Sequence, residues 1–330
     1  MKLLVLGGAG YVGSHTAMKL LECGYEVVVA DNLVTGYKQA VPQNATFYQG
    51  DVRDRAFLNK IFKNEKIDAV IHSVHYSVNS DSEKRPFNYY DNDVYSTKII
   101  LDAMVDHNID KIVFSSSASI YGDQINTLIR EEDKQQPTNY YGETKFTMEK
   151  MILWAANAYN LKFVFLRYFN VCGSYNDGLM GEYHDSESHL IPLVLQVPNG
   201  IKSEVVINGT DYDTPDGTCI RDYIHILDLA QANILAIEYL MNGGESDVFN
   251  LGSGVGYSVK EVVDAARRVT GHPIPTTSGP RRKGDPARVV ASYEKAKNIL
   301  GWSPTVTNLD DLIQSAWHWQ SSHPNGYKNI

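Results

Sequence analysis

A tyrosine and a lysine stand four positions apart in N-Y-Y-G-E-T-K, at residues 139–145. If this segment is helical, Tyr141 and Lys145 share one face, and Met148 and Ile152 turn that face towards the interior. Tyrosine becomes a base near pH 7 if its pKa falls by about three units, which takes roughly 4 kcal/mol. A lysine ammonium at about 4 Å supplies about that much at an effective dielectric constant of about 20. The pair predicts acid-base chemistry at Tyr141, although the spacing also arises by chance.

Three serines follow a predicted strand in K-I-V-F-S-S-S-A-S-I-Y-G, residues 111–122. The run places Ser115, Ser116 and Ser117 at the carboxyl end of that strand, which is the edge at which open α/β sheets bind ligands. A serine run on its own is more typical of a turn. Its place upstream of the tyrosine and the lysine makes it a second candidate part of one site.

A glycine-rich segment, G-G-A-G-Y-V-G, lies between the first predicted strand and the first predicted helix. Gly7, Gly10 and Gly13 allow a tight turn and the close approach of a pyrophosphate to the helix N-terminus. A tight turn alone would also explain them. Asp31 favours the nucleotide-binding interpretation over a simple turn. It ends the second predicted strand, where a carboxylate can accept hydrogen bonds from both hydroxyls of an adenosine ribose. No arginine follows closely to bind a 2′-phosphate, so the pattern favours NAD over NADP.

A second carboxylate, Asp51, follows the third predicted strand in Q-G-D-V. From there it could reach the amino group of the adenine. It could equally be the N-cap of a helix over residues 53–63, since aspartate is a preferred N-cap residue. Both readings stay open on the sequence.

These candidates need a scaffold that brings strand ends together. The first 172 residues alternate short β-branched runs with longer amphipathic stretches, which predicts a Rossmann-type doubly wound parallel sheet, an α/β fold. From residue 173 to 330 the alternation is irregular, which indicates a smaller α/β C-terminal substrate domain. Segments near 220–255 resemble strand and helix again, so we expect the chain to return there to the first domain.

The composition of the chain limits the classes of partner that it can bind. A formal charge of −9 disfavours binding to nucleic acid or to anionic lipid, because either needs a basic surface. The first apolar run breaks at glycine after four residues, so we predict neither an export signal nor a membrane span. The three cysteines are an odd number and lie far apart, which predicts reduced thiols and a cytoplasmic protein.

Longer motifs give a resemblance that covers almost the whole chain. The segments G-G-A-G-Y-V-G-S-H-T, Y-Y-G-E-T-K, R-Y-F-N and R-R-K-G-D-P-A-R, and above all G-T-D-Y-D-T-P-D-G-T-C-I-R-D-Y-I-H at 209–225, resemble the nucleotide-sugar epimerases of the extended short-chain dehydrogenase/reductase family. The resemblance implies reversible epimerisation at carbon 4 of a UDP-hexose, between UDP-galactose and UDP-glucose, through a 4-keto intermediate on a bound NAD. It also implies a homodimer formed through the helix of Tyr141 and its neighbour.

The same resemblance implies roles for individual residues. Tyr141 would be the base, Ser117 would bridge substrate and tyrosine, and Lys145 would bind the nicotinamide ribose and lower the tyrosine pKa. The implied cofactor contacts are Gly7, Gly10, Tyr11, Val12, Gly13, Asp31, Asn32, Leu33, Thr35, Gly36, Asp51, Val52, Ser73, Val74, His75, Asn92, Ser115, Tyr141, Lys145 and Tyr168. The implied substrate contacts are Ser117, Tyr141, Asn170, His189, Leu190, Asn208, Arg221, Arg282, Asp285 and Val289.

Several positions depart from the family pattern. Residues 73–75 read S-V-H where small residues are usual, which puts the fit of the cofactor in question, and the chain also differs at Ser77 and at residues 78–82. Asn208 replaces a usual phenylalanine near the uracil. A metal site at His72 and His75 has no third ligand in the sequence, so we predict none.

One position bears on specificity and two alternatives remain. Val289 aligns with a position where a large tyrosine excludes N-acetylated sugars, so we expect activity on UDP-N-acetylglucosamine as well. A nucleotide-sugar dehydratase of the same family would need an acid-base pair where this chain has Ala118 and Ser119. A non-catalytic NAD-binding protein would commonly lose Tyr141 or Lys145, and both are present.

Overall fold

Strands alternate with helices along the first half of the computed structural model of the protein, which describes residues 1–76, 85–124, 127–175, 178–282 and 284–329. The predictions for Ser77 and residues 78–82 lie outside the described residues. The strands are β1 (Lys2–Leu6), β2 (Glu26–Asp31), β3 (Thr46–Gln49), β4 (Ala69–His72), β5 (Lys111–Ser117), β6 (Lys162–Tyr168), β7 (Asn170–Cys172), β8 (Val205–Asn208), β9 (Ile220–His225), β10 (Asp247–Leu251), β11 (Gly256–Ser258), β12 (Thr276–Gly279) and β13 (Arg288–Val289). The helices are α1 (Tyr11–Glu22), α2 (Arg55–Asn64), α3 (Pro86–Tyr89), α4 (Ser96–Asp106), α5 (Tyr140–Tyr159), α6 (Leu190–Leu195), α7 (Ile226–Met241), α8 (Val259–Thr270), α9 (Glu294–Leu300) and α10 (Leu309–Ser322).

The large sheet has seven parallel strands in the order β10-β6-β5-β4-β1-β2-β3. The chain winds outward from β1 in both directions, which confirms the predicted doubly wound fold. Helices α1 and α7 pack on one face, and α2, α4 and α5 pack on the other. Because both faces are covered, β1 is buried from Leu3 to Leu6 and reads as an unbroken apolar run.

Parallel pairing brings the carboxyl ends of these strands to one edge of the sheet. Asp31 ends β2, His72 ends β4, Ser117 ends β5 and Tyr168 ends β6. The register pairs Ser117 with Tyr168 and His72 with Phe114, so these strand ends are neighbours. Chemistry-bearing residues that are distant in sequence therefore lie side by side along this edge.

A smaller α/β region lies beyond that edge. Strand β9 pairs with β7, β11 and β13, and β8 pairs with β12. Helices α6, α8 and α10 share an apolar core with these strands. Strand β10 leaves this region and pairs with β6 in the large sheet. The division of the chain into domains at residue 172 stays a prediction. Among the described helices, none combines the length and the apolar character that a membrane crossing needs.

Candidate active site

The glycine loop between β1 and α1 uses its glycines for different purposes. Gly7 has a φ of +76°, and a Cβ there would approach the Ser73 carbonyl oxygen to 2.9 Å. A Cβ on Gly13 would lie 2.2 Å from the Gly7 carbonyl oxygen, so the helix start is packed too closely for any side chain. Gly10, in contrast, is extended and a Cβ would meet the protein only at 3.5 Å. Gly10 lines a cavity, so its missing side chain leaves room for a ligand there.

Asp31 holds this loop together at the end of β2. Its Oδ2 accepts a hydrogen bond from the Ala9 amide at 3.0 Å, and its Oδ1 accepts one from the Leu33 amide at 2.8 Å. Leu33 has a left-handed φ of +60°, which marks the turn after β2 as specially constrained. Burial raises the pKa of Asp31, and the two backbone hydrogen bonds oppose that shift. The remaining lone pairs of this carboxylate lie at the cavity, where a ribose can be bound.

Asp51 lies on the cavity beside Asn32 and is not a helix cap. Helix α2 begins at Arg55, and its N-cap is Asp54, which accepts from the Ala56 amide. The helix-cap reading of Asp51 is therefore wrong, because the chain makes one more turn before the helix starts. Asp51 instead pairs with Arg53 at 2.7 Å, which lowers its pKa to about 2. It is a stable anion at the wall of the cavity.

One cavity of about 590 Å³ joins the edge of the large sheet to the smaller region. Four of the predicted residues do not line it: Leu33 and Gly36 in the turn after β2, and Ser115 and Lys145, which are fully buried behind its wall. The predicted residues that line it are Gly7, Gly10, Tyr11, Val12, Gly13, Asp31, Asn32, Thr35, Asp51, Val52, Ser73, Val74, His75, Asn92, Ser117, Tyr141, Tyr168, Asn170, His189, Leu190, Asn208, Arg221, Arg282, Asp285 and Val289.

Helix α5 presents Tyr141 to this cavity. The helix begins at Tyr140, and the Asn139 side chain caps it by accepting from the Gly142 amide at 2.8 Å. Tyr141 is 7% exposed, whereas Tyr140 next to it is 46% exposed. Met148 is fully buried, as expected for the inward face of the helix. Two adjacent tyrosines therefore have opposite environments, and only the buried one is at the cavity.

Lys145 lies directly behind Tyr141 without any exposed surface. Its Nζ donates to the Ser115 carbonyl oxygen at 2.7 Å and lies 5.9 Å from the centre of the Tyr141 ring. Burial lowers the pKa of Lys145 to about 8, although the charges of Asp93 and Glu149 act to raise it. The lysine therefore stays mostly cationic at neutral pH and is fixed to the end of β5.

The pKa of Tyr141 differs from the sequence-based expectation. Burial raises it well above the usual value, the nearby Tyr168 and Asp93 act in the same direction, and a hydrogen bond from Ser117 opposes them. The desolvation of a phenolate outweighs the effect of the lysine cation at this position. The positive charge of Lys145 is already partly balanced by Asp93. Lys145 is thus insufficient by itself to lower the pKa of Tyr141.

Asp93 is a residue that the sequence did not point to. It is fully buried in a π-helical turn, Tyr90–Tyr95, which leads into α4. Its Oδ1 accepts from the Tyr76 amide at 3.1 Å and from the Asn92 side chain at 2.8 Å. Within the described part of the chain, its Oδ2 is buried without a hydrogen-bond partner. Burial raises the pKa of Asp93 to about 6, and the charge of Lys145 acts to lower it.

A second buried charge pair lies one turn further along α5. Glu149 accepts from Arg167 Nε at 2.9 Å and from Arg167 Nη2 at 2.7 Å. Ser116 donates to the same carboxylate at 2.5 Å, and Arg167 also donates to the Tyr121 hydroxyl at 2.9 Å. Both charged side chains are about 5% exposed or less. Neither residue lines the cavity, so this pair joins α5 to β6 without taking part in the site.

The unusual residues at 73–75 fit into the site. The Ser73 hydroxyl and the Ser115 hydroxyl share a hydrogen bond of 2.9 Å, which ties the end of β4 to β5. The His75 ring lies 6.1 Å from the Tyr141 ring, and its Nδ1 bonds the Ser73 carbonyl at 3.0 Å. Burial holds the pKa of His75 well below its usual range, so the ring is neutral. His72 bonds Thr97 at 3.0 Å.

The opposite end of the cavity contains the predicted substrate contacts. Arg221 on β9 forms an ion pair with Asp285 and donates to the Ile220 carbonyl oxygen at 2.8 Å. Arg282 is exposed at the rim. Val289 on β13 pairs in register with Arg221, so both lie on the same wall. This end therefore offers two cations for a diphosphate and a small apolar side chain next to them.

The comparisons with known proteins agree with this geometry. The sequence model of the family described as "NAD dependent epimerase/dehydratase family" matches residues 3–252. A UDP-glucose 4-epimerase from Lacticaseibacillus casei is 51% identical over 327 residues, which are 99% of each chain. A crystal structure of a UDP-glucose 4-epimerase is 51% identical with a TM-score of 0.97, and covers 99% of this chain and 100% of its own. A crystal structure of the UDP-glucose 4-epimerase from Bifidobacterium longum, in complex with NAD+ and UDP, is 40% identical with a TM-score of 0.95. It covers 99% of this chain and 100% of its own.

Proposed function

The chain belongs to the NAD dependent epimerase/dehydratase family, and we propose that Tyr141, Ser117 and Lys145 are the catalytic residues of its reaction. That reaction is the NAD-dependent interconversion of UDP-glucose and UDP-galactose at carbon 4 of the hexose, an isomerisation. The alternatives of a dehydratase and of a non-catalytic NAD-binding protein are disfavoured by the same relatives. The cavity contains what the reaction requires: a cofactor end at the glycine loop, a diphosphate end at Arg221, and Tyr141 between them.

The residues present fit NAD on structural grounds. Gly10 leaves space at the start of α1, and Asp31 directs a carboxylate into the same part of the cavity. When bound, NAD accepts a hydride from carbon 4 of the sugar and returns it to the opposite face. Gly10 and Asp31 would hold its pyrophosphate and adenosine ribose, and Asp51 and Asn32 lie where the adenine would be contacted.

Tyr141 is the group that moves the proton. In the proposed reaction its phenolate oxygen takes the proton from the hydroxyl on carbon 4 and gives it back after the sugar has rotated. Ser117 bridges the sugar hydroxyl and Tyr141, since both side chains line the cavity and Ser117 acts to lower the pKa of Tyr141. The positive charge of Lys145 favours the phenolate form of Tyr141. The hydrogen bond from Lys145 to the Ser115 carbonyl oxygen fixes the lysine behind the tyrosine.

The nucleotide sugar is held at the other end. Arg221 and Arg282 would bind the diphosphate, and Asp285 the uridine ribose. The ion pair between Arg221 and Asp285 presets the guanidinium before substrate arrives, which reduces the loss of side-chain freedom on binding. Asn170, Asn208, His189 and Leu190 complete this end.

The single observation on which the assignment depends is the position of Tyr141, buried at the cavity in front of a fully buried lysine. The test is to incubate purified protein with UDP-galactose and to identify the product. The expected product is UDP-glucose with no net consumption of NAD. A 4-keto-6-deoxy sugar would instead identify a dehydratase, and the absence of any product would identify a non-catalytic protein.

We further propose that the cavity admits N-acetylated sugars, because Val289 leaves room next to Arg221 where a tyrosine would fill it. The expected result is conversion of UDP-N-acetylglucosamine as well as of UDP-galactose. In Val289→Tyr, activity on the N-acetylated sugar should fall far more than activity on UDP-galactose. A wild-type protein that converts UDP-galactose but not UDP-N-acetylglucosamine would contradict this.

We also propose that the protein is a cytoplasmic homodimer. Its three cysteines are free thiols, which suits a reducing compartment. Helix α5 and the π-helical turn before α4 expose large apolar side chains, with Trp154 71% and Tyr95 47% exposed, as expected of an interface. Light scattering of the purified protein should give twice the mass of the chain. Trp154→Glu should give the monomer, whereas Leu179→Glu, at another exposed apolar residue, should leave the dimer intact.

A further inference from the structure

Four side chains with metal-ligand chemistry lie within eight residues of one another in the segment G-E-Y-H-D-S-E-S-H, before helix α6. They are Glu182, His184, Glu187 and His189, and one ligand atom from each lies within 4.8 Å of all the others. Their spacing in sequence is short, so little chain entropy is lost in bringing them together. This group, here called the Glu-His cluster, lies on the cavity wall, which Glu182, His184 and His189 line.

The distances in the cluster are close to those of a tetrahedral site. His184 Nδ1 lies 3.6 Å from Glu182 Oε1 and 3.2 Å from Glu187 Oε2. His189 Nδ1 lies 2.6 Å from Glu182 Oε1 and 3.7 Å from Glu187 Oε1. Ligands about 2.0–2.2 Å from a tetrahedral zinc ion are roughly 3.4 Å apart, which is the middle of this range. Small side-chain movements would therefore be enough to accommodate the ion.

Burial and charge favour a cation in the same place. The side chains of Glu182 and Glu187 are both 5% exposed, and their ion pairs among the described residues are with His184 and His189. Two carboxylates held close together in a dry environment need compensating positive charge. Glu187 is also preset, because its Oε1 accepts from the Ser188 amide at 2.7 Å and from the His189 amide at 2.8 Å. Its Oε2 is thereby directed towards His184.

We propose that the Glu-His cluster binds one zinc ion, through the two imidazoles and the two carboxylates. Imidazole and carboxylate together suit Zn²⁺ in a closed, four-coordinate structural site. The ion would fix the segment from Glu182 to His189 against the start of α6, and so shape the nucleotide-sugar end of the cavity. Zinc binding would release any protons that the two imidazoles carry, and the bound ion would have a positioning role without redox chemistry.

The competing account is a cluster held only by hydrogen bonds and protonated histidines. The two differ in a direct measurement: zinc binding to the full-length protein, free of any affinity tag and without UDP-sugar. We expect calorimetry to show one high-affinity Zn²⁺ site per chain, and zinc to raise the thermal unfolding midpoint, since it binds the folded state. Cobalt(II) in the same site should show the visible absorption bands of tetrahedral coordination.

Three variants make the assignment specific. His184→Gln and Glu187→Gln should each weaken zinc binding by about 100-fold and lose the cobalt bands, since each removes one ligand. His318→Gln, which changes an exposed histidine on α10, should bind zinc as the wild type does. Far-ultraviolet circular dichroism confirms that each variant is folded. Wild-type protein without a high-affinity site, or equal zinc affinity in all these proteins, would overturn the proposal. Neither result would bear on the epimerase reaction, which is measured separately.

Discussion

Two buried charge pairs stand one turn apart on helix α5, and they differ in how fully their polar atoms are partnered. Glu149 and Arg167 share two hydrogen bonds, and Ser116 adds a third to the carboxylate. Lys145 has a hydrogen bond to a main-chain carbonyl, and Asp93 interacts with it through charge. In the part of the chain that the structure describes, one oxygen of Asp93 has no hydrogen-bond partner.

The difference separates a structural pair from a reactive one. A fully hydrogen-bonded pair specifies one arrangement of the core. In the other pair, the pKa of Lys145 is about 8 and that of Asp93 is about 6. Both groups can therefore gain or lose a proton close to neutral pH. Perturbed ionisable groups of this kind are typical of functional sites. The first pair should therefore control stability, and the second should control the reaction.

Tyr141→Phe, which changes the side chain in front of the reactive pair, should cause the largest loss of turnover. The phenylalanine fills the same space but cannot exchange a proton, so we expect turnover to fall by about 10³-fold or more, with NAD content and stability near those of the wild type. Product formation from UDP-galactose measures it. The matched control is Tyr140→Phe, at the exposed neighbouring tyrosine, which should retain normal turnover. Equal activity in the two variants would contradict the assignment of Tyr141.

Glu149→Gln tests the structural pair. It leaves the Arg167 guanidinium buried without its counter-charge, so we expect the free energy of unfolding to fall by about 3 kcal/mol or more. Turnover per folded molecule should fall far less than in Lys145→Met, because Glu149 only adds to the charge that raises the pKa of Lys145 and the lysine itself remains. Urea denaturation with parallel assays measures both quantities. Glu143→Gln, on the first turn of the same helix, is the control and should have near wild-type stability. A Glu149→Gln protein of normal stability and low turnover would reverse the roles of the two pairs.

Lys145→Met is expected to behave in the opposite way. Removing the cation behind Tyr141 should lower turnover by about 10²-fold, since methionine keeps the volume but not the charge. Stability should fall less than in Glu149→Gln, because Asp93, with a pKa of about 6, can take up a proton when its counter-charge is lost. The same two assays apply. A large loss of stability with normal turnover would show that Lys145 is structural.

Asp93→Asn should have the smallest effect. The Asp93 carboxylate raises the pKa of Lys145, so without it Lys145 should lose its proton below pH 8, at lower pH than in the wild type. The alkaline limb of the turnover profile should move down by roughly one pH unit. Asp91→Asn, at an exposed neighbour that pairs with Arg53, should leave the profile unchanged. If the limb stays in place in Asp93→Asn, Lys145 and Asp93 are not coupled in the reaction.

Much of the fold and the family followed from the sequence because the signals were local. Buried parallel strands have unbroken apolar runs, and the glycine loop requires close packing at Gly7 and Gly13, so both are visible in a short window. The predicted fold class, the epimerase family, the reaction and the NAD cofactor are confirmed by the comparisons. The catalytic and binding roles of single residues stay predictions.

Other features depend on contacts between distant segments and were missed. Asp93 lies in a π-helical turn, and its coupling to Lys145 exists only after α4 and α5 have packed on the sheet. The direction of the Tyr141 pKa was wrong for the protein alone, because the amount of burial cannot be read from helical spacing. The residues of the Glu-His cluster are close in the sequence, but only the folded segment before α6 brings one ligand atom of each within 4.8 Å of the others.

We propose that Tyr141 is the base, and that the positive charge of the oxidised nicotinamide, added to that of Lys145, brings its ionisation towards neutral pH. The most direct test is a pH titration of tyrosinate absorbance, taken as the difference between wild type and Tyr141→Phe, with the cofactor oxidised and then reduced. We predict that the Tyr141 signal appears at lower pH with oxidised cofactor, and only well above pH 10 with reduced cofactor, because burial then dominates. The same titration curve in both redox states would contradict the account.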